Sequence, residues 1–329
     1  MSMHEVLVIE IGEIFPHPNG DKLELIQVWG WQCCIAKGQF KTGDKAAYIE
    51  PDFLCPLDRP EFSFLRKKDS TKTKERIKVR RLRGELSQGL IIPLPAHLDV
   101  PVGTNIITEL GVERYEPPED MSTGGDFVHG PDGLYCPKFD LENYAKYGKH
   151  CFVEGEPVVI TEKLHGSSSR FLWHDGQQFC GSRKNWMEED EKNIWWKVFK
   201  SDPGIKSWCE ANPSKILFGE VFGQVQTLKY GAGRNDLFFA AFAMLDKQEW
   251  ISYKDIADSL KEHNVTLAPL LYRGPLDEKM AKELAEGDSS WLGANHMREG
   301  VVIVPEIERT HRKVGRVALK LVSNRYLES

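Results

Sequence analysis

The stretch V-V-I-T-E-K-L-H-G-S-S-S at residues 158–169 carries the strongest structural signal in the sequence. Its β-branched start predicts a strand, with Glu162 and Lys163 at the end and a polar turn from His165 onward. A lysine amine is a covalent nucleophile when burial or nearby cations hold it partly deprotonated. Gly166 would let the backbone approach a phosphate closely. The stretch therefore predicts a phosphate-handling site centred on Lys163.

Alone, this motif proves little, because a lysine at a strand end is usually a surface cation. Five later segments also place a charged or aromatic residue at or within an apolar strand. They are G-S-R-K at 181–184, I-L-F-G-E-V-F-G at 216–223, F-F-A-A-F-A-M-L at 238–245, R-E-G-V-V-I-V at 298–304 and A-L-K-L-V at 318–322, which carry Arg183, Glu220, Phe242, Glu299 and Lys320. A charge in an apolar strand is costly without a partner. We therefore expect these charges to converge with Lys163 around a polyanion.

Length and composition indicate a globular chain with two domains. The 329 residues correspond to roughly two domains at about 150 residues each. With 41% hydrophobic and 28% charged residues, disordered and fibrous classes are excluded. No apolar run approaches the roughly 18 residues of a membrane helix, and the first residues do not resemble a signal peptide. A cytoplasmic protein with no membrane partner is expected. The seven cysteines form no C-x-x-C pair and are expected to be small buried side chains.

The order of predicted elements divides the chain at a linker. Residues 1–112 contain short predicted strands at 5–11, 23–32, 46–49, 77–79 and 89–93, which suggest a small closed barrel of the OB type. Residues 113–134 bear Pro and Gly and are predicted to be the linker. Residues 135–329 mix predicted strands at 157–162, 171–174, 216–221, 237–245, 300–304 and 317–322 with helices at 188–200, 253–262 and 277–286. Without β-α-β alternation, this domain is predicted to be α+β with antiparallel sheets.

A basic block interrupts the otherwise acidic chain. Residues 66–83 hold ten Lys or Arg against Asp69 and Glu75, a local charge of +8 in a chain whose net charge is -6. Such a concentration is typical of phosphate binding, although a solvated loop or a nuclear-localisation-like run has the same composition. The predicted nucleic-acid contacts are Arg66, Lys67, Lys68, Arg80, Arg81 and Arg83.

The ordered motifs resemble the covalent nucleotidyltransferases: ATP-dependent RNA and DNA ligases and mRNA capping guanylyltransferases. His165 and Ser168 stand where DNA ligases and capping enzymes usually carry Asp and Arg, so the set is most similar to RNA ligases of the phage T4 RNA ligase 2 type. H-P-N-G-D-K-L-E-L at 17–25 and L-R-G-E-L-S-Q-G-L at 82–90 resemble OB-fold tRNA-binding domains of some aminoacyl-tRNA synthetases. An OB domain in this N-terminal position is similar to the Deinococcus- and Naegleria-type RNA ligases.

The resemblance implies an α+β fold in which an N-terminal OB-fold β-barrel precedes a covalent nucleotidyltransferase domain, of the ligase adenylylation, ATP-grasp-like kind, with antiparallel sheets. The implied enzyme joins RNA 3′-OH and 5′-phosphate ends through lysyl-AMP at Lys163, using ATP and Mg²⁺ or Mn²⁺. Its implied partner is RNA, with a nicked duplex on an RNA or DNA template as first choice, and no obligate protein partner is implied. The alternatives are an ATP-dependent DNA ligase, a capping guanylyltransferase, or a nucleic-acid-binding protein whose second domain has lost catalysis.

The resemblance also implies a role for each motif residue. Lys163, Arg183, Glu299 and Lys320 would be catalytic, with Lys163 the nucleophile and Lys320 holding the α-phosphate. The nucleotide would be bound by Glu162 and Phe242 at the adenine, by Arg183 and Glu220 at the ribose, and by His165, Gly166 and Lys320. Arg183 would also engage RNA ends. A metal would lie near Glu299, Glu220 and His165, reached through water.

One position departs from the family pattern. Many relatives carry a second lysine two residues after Lys320, where this chain has Val322. Arg316 or Arg325 could compensate, and sequence does not decide between them. Arg170, Arg312 and Lys313 are further candidates for phosphate contact but are expected at the surface. F-D-L-E-N at 139–143 could close the nucleotide pocket or serve packing, and both readings stay open.

Overall fold

The computed structural model describes residues 5–68, 70–115 and 126–328. The described residues form two compact units, residues 5–115 and residues 126–327. Part of the predicted linker, residues 116–125, and Asp69 of the basic block lie outside the described residues. Among the described helices, none combines the length and the apolarity needed to cross a membrane.

The N-terminal unit is built from short antiparallel strands. The strands are β1 Leu7–Glu10, β2 Ile14–Pro16, β3 Leu23–Val28, β4 Trp31–Ala36, β5 Lys45–Ile49, β6 Phe53–Pro56, β7 Lys74–Arg76, β8 Arg80–Leu82, β9 Glu85–Ser87, β10 Leu90–Pro93 and β11 Glu113–Arg114. A 3₁₀ helix spans Pro60–Leu65 and helix α1 spans Ile107–Leu110. The strands pair in the orders β1-β5-β10, β2-β3-β4, β11-β6-β7 and β8-β9. Their inward side chains, among them Val8, Ala47, Ile49 and Phe53, form one apolar core.

Two predicted strands of this unit were wrong in detail. The single strand predicted at 23–32 is a hairpin of β3 and β4 that turns at Trp29, whose φ of 54° lies in the left-handed region. Apolar residues continue on both sides of that turn, so the hydrophobic pattern of the sequence gives no sign of it. The strand predicted at 77–79 is absent, and β7 and β8 lie on either side of it. Ile77 is nevertheless buried and keeps a backbone hydrogen bond to Phe53.

The C-terminal unit contains two larger sheets with helices packed against them. The strands are β12 Phe127–Val128, β13 Glu142–Asn143, β14 Pro157–Lys163, β15 Ser167–His174, β16 Gln177–Ser182, β17 Trp186–Met187, β18 Lys215–Gly223, β19 Leu237–Asp246, β20 Glu249–Trp250, β21 Leu270–Pro275, β22 Gly300–Pro305, β23 Thr310–His311, β24 Gly315–Arg316 and β25 Leu319–Val322. The helices are α2 Tyr144–Cys151, α3 Ile194–Ser201, α4 Pro203–Ala211, α5 Tyr253–Lys261, α6 Glu278–Ala285 and α7 Asn324–Leu327. The short strands β11 and β12 lie within residues 113–134, which were predicted to be linker.

The strand order shows how this unit is assembled. The seven-stranded sheet runs β12-β17-β16-β15-β18-β19-β20, and the five-stranded sheet runs β13-β25-β22-β14-β21. Among the described strand pairs of these sheets, β13 with β25 is parallel and the others are antiparallel. Each sheet has its own apolar cluster, and the chain passes from one sheet to the other between β14 and β15. The predicted α+β architecture with antiparallel sheets is therefore present.

Capping residues explain where the helices differ from prediction. The helix predicted at 188–200 begins later, because the buried Asn193 side chain accepts hydrogen bonds from the backbone amides of Trp195 and Trp196. Helix α4, which was not predicted, starts at Pro203 after the capping residue Asp202. Trp195 and Trp196 are buried in the cluster beneath the seven-stranded sheet. All seven cysteines are free thiols, and five of them are buried.

Candidate active site

Lys163 and Glu299 meet where two neighbouring strands reach the same edge of the five-stranded sheet. Lys163 is the last residue of β14, and its partner in the ladder is Gly300, the first residue of β22. Glu299 immediately precedes that glycine. As a result, the Lys163 Nζ donates a hydrogen bond of 2.6 Å to Glu299 Oε1. The predicted convergence of these two charges is therefore observed.

The surroundings of this ion pair favour its charged form. Burial alone lowers the pKa of Lys163, but the charges of Glu299 and Glu220 outweigh burial and hold it above its usual value. Burial likewise raises the pKa of Glu299, and the nearby Lys163 charge reverses that effect and holds it well below its usual range. Glu299 Oε2 is buried and accepts no hydrogen bond from the described residues. That oxygen lies 3.3 Å from His165 Nδ1 and is the atom left for a further ligand.

His165 is held by Thr227, Tyr230 and Tyr326, none of which the sequence placed beside it. Its backbone amide donates to the Tyr230 hydroxyl at 2.8 Å. Its ring nitrogens lie 3.2 Å from the Thr227 hydroxyl, at Nε2, and 3.2 Å from the Tyr326 hydroxyl, at Nδ1. These neighbours come from loops and from the C-terminal helix α7, and no sequence periodicity marks them. The one available signal in the sequence was that Tyr326 follows shortly after the last motif, residues 318–322, and so could be expected near the site.

Glu220 and Gly166 form a second contact between the nucleophile segment and the seven-stranded sheet. Glu220 lies on β18 opposite Ser168, and its Oε1 accepts a hydrogen bond of 3.0 Å from the Gly166 amide. Burial raises the pKa of Glu220 to about 8, against the opposing charge of Lys163. A Cβ on Gly166 would lie 2.2 Å from the Val221 carbonyl oxygen. The structure thus gives a packing reason for glycine here, in addition to the expected approach to a phosphate.

The two residues predicted to frame the adenine differ in their surroundings. Glu162 is buried, and its two carboxylate oxygens accept from the Ser289 hydroxyl at 2.6 Å and the Ser290 amide at 2.7 Å. This carboxylate therefore anchors the turn at 289–290. Phe242 lies at the register shift between β18 and β19, a bulge of the kind that redirects a side chain near a site.

Residues 139–143 contact several of the predicted site residues. The Phe139 ring packs 4.8 Å from the ring of Phe242. Asp140 Oδ1 accepts from the Arg183 guanidinium at 2.9 Å. Asn143 pairs with Lys320 in the parallel ladder of β13 and β25. This segment thus lies against three motifs, and Phe139 also packs against Phe218 and Trp250 in the apolar cluster of the seven-stranded sheet, so the segment both contacts predicted site residues and serves packing.

Lys320 and Val322 lie on the face of the five-stranded sheet that carries Lys163. Lys320 pairs with Val302 on β22, which in turn pairs with Thr161 on β14. Val322 pairs with Gly300, and so stands level with Lys163. One intervening strand separates either residue from β14, a spacing of about 10 Å. A second lysine at position 322 would therefore lie level with Lys163 on the same sheet face, with β22 between them.

The other arginines considered in the sequence are engaged elsewhere. Arg316 forms an ion pair with Glu308, and Arg325 forms one with Asp288 at 2.9 Å. Arg312 is exposed. The surface position expected for Arg170 was wrong, because Arg170 is 3% exposed and its guanidinium lies 4.2 Å from the centre of the Trp186 ring.

The predicted nucleic-acid contacts lie on the surface of the N-terminal unit. All six are exposed: Arg66, Lys67, Lys68, Arg80, Arg81 and Arg83. Arg66 donates to the Leu57 carbonyl at 2.9 Å, and Arg80 lies 3.6 Å from a carboxylate oxygen of Glu75. The two motifs that resemble synthetase OB folds, residues 17–25 and 82–90, contact each other in this unit. His17 Nε2 lies 2.9 Å from the Leu82 carbonyl oxygen.

Comparisons with known proteins agree with this arrangement. Residues 156–322 match the RNA ligase family model, and residues 6–94 match a model of an OB-fold domain. Naegleria gruberi RNA ligase with pyrophosphate is 26% identical, with coverage of 99% of this chain and 98% of that chain and a TM-score of 0.83. Its lysine-to-alanine variant with ATP and Mn is 26% identical, with 98% of both chains covered and a TM-score of 0.84. Its lysine-to-methionine variant with AMP and Mn is 26% identical, with 98% and 97% covered and a TM-score of 0.83. No curated protein sequence matches the chain.

The fold and these matches define an enzyme that joins polynucleotides. The chain belongs to the RNA ligase family. The resemblance to Naegleria-type RNA ligases with an N-terminal OB domain is confirmed, and so is the α+β fold with the nucleotidyltransferase domain after the barrel.

Proposed function

We propose that this protein is an ATP-dependent RNA ligase that joins 3′-OH and 5′-phosphate ends through lysyl-AMP on Lys163. One observation carries the proposal: Lys163 ends β14 with its amine 2.6 Å from the buried Glu299, within the segment that matches the family model. The solved relatives contain ATP, AMP or pyrophosphate: ATP is the substrate of lysine adenylylation, pyrophosphate is its leaving group, and AMP is the group that is transferred and finally released.

The reaction balances in three steps. Lys163 Nζ attacks the α-phosphorus of ATP, a P–N bond forms, and pyrophosphate leaves. An oxygen of the RNA 5′-phosphate then attacks that phosphorus, which restores the lysine and forms a 5′-adenylylated end. The 3′-OH finally attacks the 5′-phosphate, loses its proton, and displaces AMP. Each transfer depends mainly on in-line positioning and charge stabilisation, as in other phosphoryl-group chemistry.

The residues around Lys163 suit these steps. The amine attacks only when it is neutral, so the proton in the ion pair with Glu299 has to leave as the P–N bond forms. Glu299 is the acceptor within reach of that proton. Lys320 supplies positive charge on the same sheet face, where the α-phosphate would lie. The backbone hydrogen bond from Gly166 to Glu220 holds the nucleophile segment in place during the attack.

The site fits a divalent metal that has few direct protein ligands. No group of three or more His, Cys, Asp or Glu side chains suited to a metal occurs among the residues that the structure describes. Mg²⁺ and Mn²⁺ sites of nucleotide enzymes commonly use one or two carboxylates together with phosphate oxygens and water. The unsatisfied Glu299 Oε2 fits such a role, and Glu220 and His165 lie beside it. A bound metal supplies positive charge that offsets the charge of the phosphates.

The exposed basic residues of the N-terminal unit support RNA binding by that unit. OB folds bind oligonucleotides, and a basic surface follows a phosphate backbone. We propose that the substrate is a nick in a duplex with an RNA or DNA template. The cytoplasmic location and the lack of an obligate protein partner stay predictions from the sequence.

The test of the proposed reaction is mass spectrometry of the full chain after incubation with ATP and Mg²⁺ or Mn²⁺. We expect one AMP on the peptide that contains Lys163, and none on Lys163→Ala. Sealing of nicked RNA and nicked DNA, and labelling with GTP, separate the alternatives. Preferred sealing of DNA would favour a DNA ligase, labelling by GTP a capping enzyme, and no adduct under either metal would contradict the proposal.

The role of the basic block is tested by its salt dependence. Arg80→Gln combined with Arg83→Gln should weaken RNA binding uniformly across sequences. The slope of log affinity against log salt should fall by about 2, one unit for each phosphate contact that is lost. Lys279→Gln, a change at an exposed residue of helix α6, is the matched control. An unchanged slope would remove these arginines from the RNA-binding surface.

A further inference from the structure

Arg170 is a buried cation for which the reaction described above has no use. It lies in the middle of β15, is 3% exposed, and forms no ion pair with any carboxylate among the described residues. Its Nε is buried without a hydrogen-bond partner in the same part of the chain. Burial lowers the pKa of Arg170 to about 10. A charge in this position is costly, so the contacts that it does make are informative.

The hydrogen bond and the ring contact that the guanidinium makes among the described residues both go to the segment at 182–186. One nitrogen donates to the Lys184 carbonyl oxygen at 2.7 Å, and the group lies over the Trp186 ring at 4.2 Å. Lys184 lies in the connection from β16 to β17, and Trp186 is the first residue of β17. A planar guanidinium can bond to a carbonyl at its edge while stacking through its face, which an aliphatic side chain cannot do.

The turn in that segment carries Arg183. The Ser182 amide donates to the Asn185 carbonyl at 2.9 Å, and the Asn185 amide donates back to the Ser182 hydroxyl at 3.1 Å. Beyond the turn, Gly181 pairs with Trp186 in the ladder. Arg183 thus projects from a short connection that the hydrogen bonds between Ser182 and Asn185 close. Arg170, on the adjacent strand β15, contacts the same connection. The Arg183 guanidinium reaches Asp140 at 2.9 Å.

We infer that Arg170 is a positioning residue that fixes the turn at 182–186 and thereby aims Arg183 at the nucleotide and the RNA ends. This inference rests on the proposed ligase function and on the role in binding the ribose and the RNA ends that the family resemblance implies for Arg183. Stability alone does not account for the residue, because apolar groups of similar volume replace buried charges without loss in other proteins. The oriented hydrogen bond to the Lys184 carbonyl and the stacking on the Trp186 ring do explain why an arginine stands at this position.

The test is a double-mutant cycle on the full chain with Arg170→Met, Arg183→Ala and the double variant. Lysine adenylylation and the sealing of pre-adenylylated RNA are measured separately in single turnovers. We expect Arg170→Met to slow the same step that Arg183→Ala slows, by about 10- to 100-fold. In the Arg183→Ala background, the further loss should be at most about 2-fold, because the two residues act through one another.

The control is Arg309→Met, which removes a guanidinium that also contacts a carbonyl and a ring at another place in the same unit, although Arg309 is less buried than Arg170 and pairs with Glu156 at 2.8 Å. Arg309 donates to the Cys151 carbonyl and lies 5.5 Å from the Phe152 ring centre. It should leave the step affected by Arg183 unchanged. If Arg170→Met does not fold, as judged by circular dichroism, the cycle is run with Arg170→Lys, which keeps the charge but loses the planar group.

The outcomes separate the inference from the proposed function. A wild-type chain that neither accepts AMP nor seals RNA overturns the proposed function. A wild-type chain that does both, with losses for Arg170 and Arg183 that multiply in the double variant, overturns the positioning role alone. An Arg170→Met chain with wild-type rates in both steps also overturns the positioning role and leaves the proposed function intact.

Discussion

Replacing Gly166 by alanine should disturb the nucleophile segment more than its small size suggests. The added Cβ would lie 2.2 Å from the Val221 carbonyl oxygen and 2.8 Å from the Phe222 Cβ, where ordinary contacts begin at 3.4 Å. Both neighbours are rigid parts of β18, so the segment has to retreat by about 1 Å. That retreat strains the 3.0 Å hydrogen bond from the Gly166 amide to Glu220. We expect a loss of about 1–3 kcal/mol in stability from overpacking and about 100-fold in AMP transfer from misplacement.

The assay is single-turnover transfer of AMP to Lys163 at several ATP concentrations, together with thermal unfolding. The packing explanation predicts a lower maximal rate and a lower unfolding temperature. An explanation based only on phosphate approach predicts weaker ATP binding with unchanged unfolding. Gly12→Ala is the control, because a Cβ there meets nothing within 4 Å. A Gly166→Ala chain that transfers AMP within threefold of wild type would refute the reasoning.

Two further changes test the contacts around the nucleophile. Glu299→Gln removes the carboxylate proposed above to accept the Lys163 proton, and we expect at least tenfold slower AMP transfer at saturating ATP, with a lower unfolding temperature because the buried Lys163 charge loses its partner; wild-type transfer would show that this carboxylate is dispensable. Tyr326→Phe removes one hydrogen bond to the His165 ring, worth about 0.5–1.5 kcal/mol, so transfer should slow by up to about tenfold. Tyr272→Phe, whose hydroxyl donates to the Pro275 carbonyl, is the matched control, and equal rates for both variants would exclude a role for Tyr326.

The residues that the sequence predicted best are charges within apolar strands. Glu220, Glu299 and Lys320 stand out because burial of an unpaired charge is unfavourable, so each required a partner. Strand register places Glu299 and Lys320 on the part of the five-stranded sheet that carries Lys163, and register follows from the alternation of apolar residues. Glu220 lies in the seven-stranded sheet and contacts the nucleophile segment through the Gly166 amide. For Lys163 and Glu299 the ladder between β14 and β22 was enough to place the carboxylate next to the amine.

The residues that the sequence missed act through tertiary contacts. Thr227, Tyr230 and Tyr326 reach His165 from loops and a short helix, where no period constrains the side chain. Arg170 was expected at the surface because arginine is rarely buried without a carboxylate. The cost of burying its charge is offset by contacts with an aromatic ring and a backbone carbonyl. Neither contact can be predicted from the spacing of residues in the sequence.

The charges at the site explain why metal dependence should be strong in this chain. Glu299 holds its negative charge beside Lys163, and its second oxygen accepts no hydrogen bond from the described residues. A triphosphate brought against this carboxylate would meet repulsion as well as the attraction of Lys163 and Lys320. At Val322, level with the nucleophile, many relatives place another lysine, and here Arg316 and Arg325, the two candidates to replace it, form ion pairs with carboxylates of their own. Positive charge from a divalent metal would therefore replace what the missing lysine supplies elsewhere in the family.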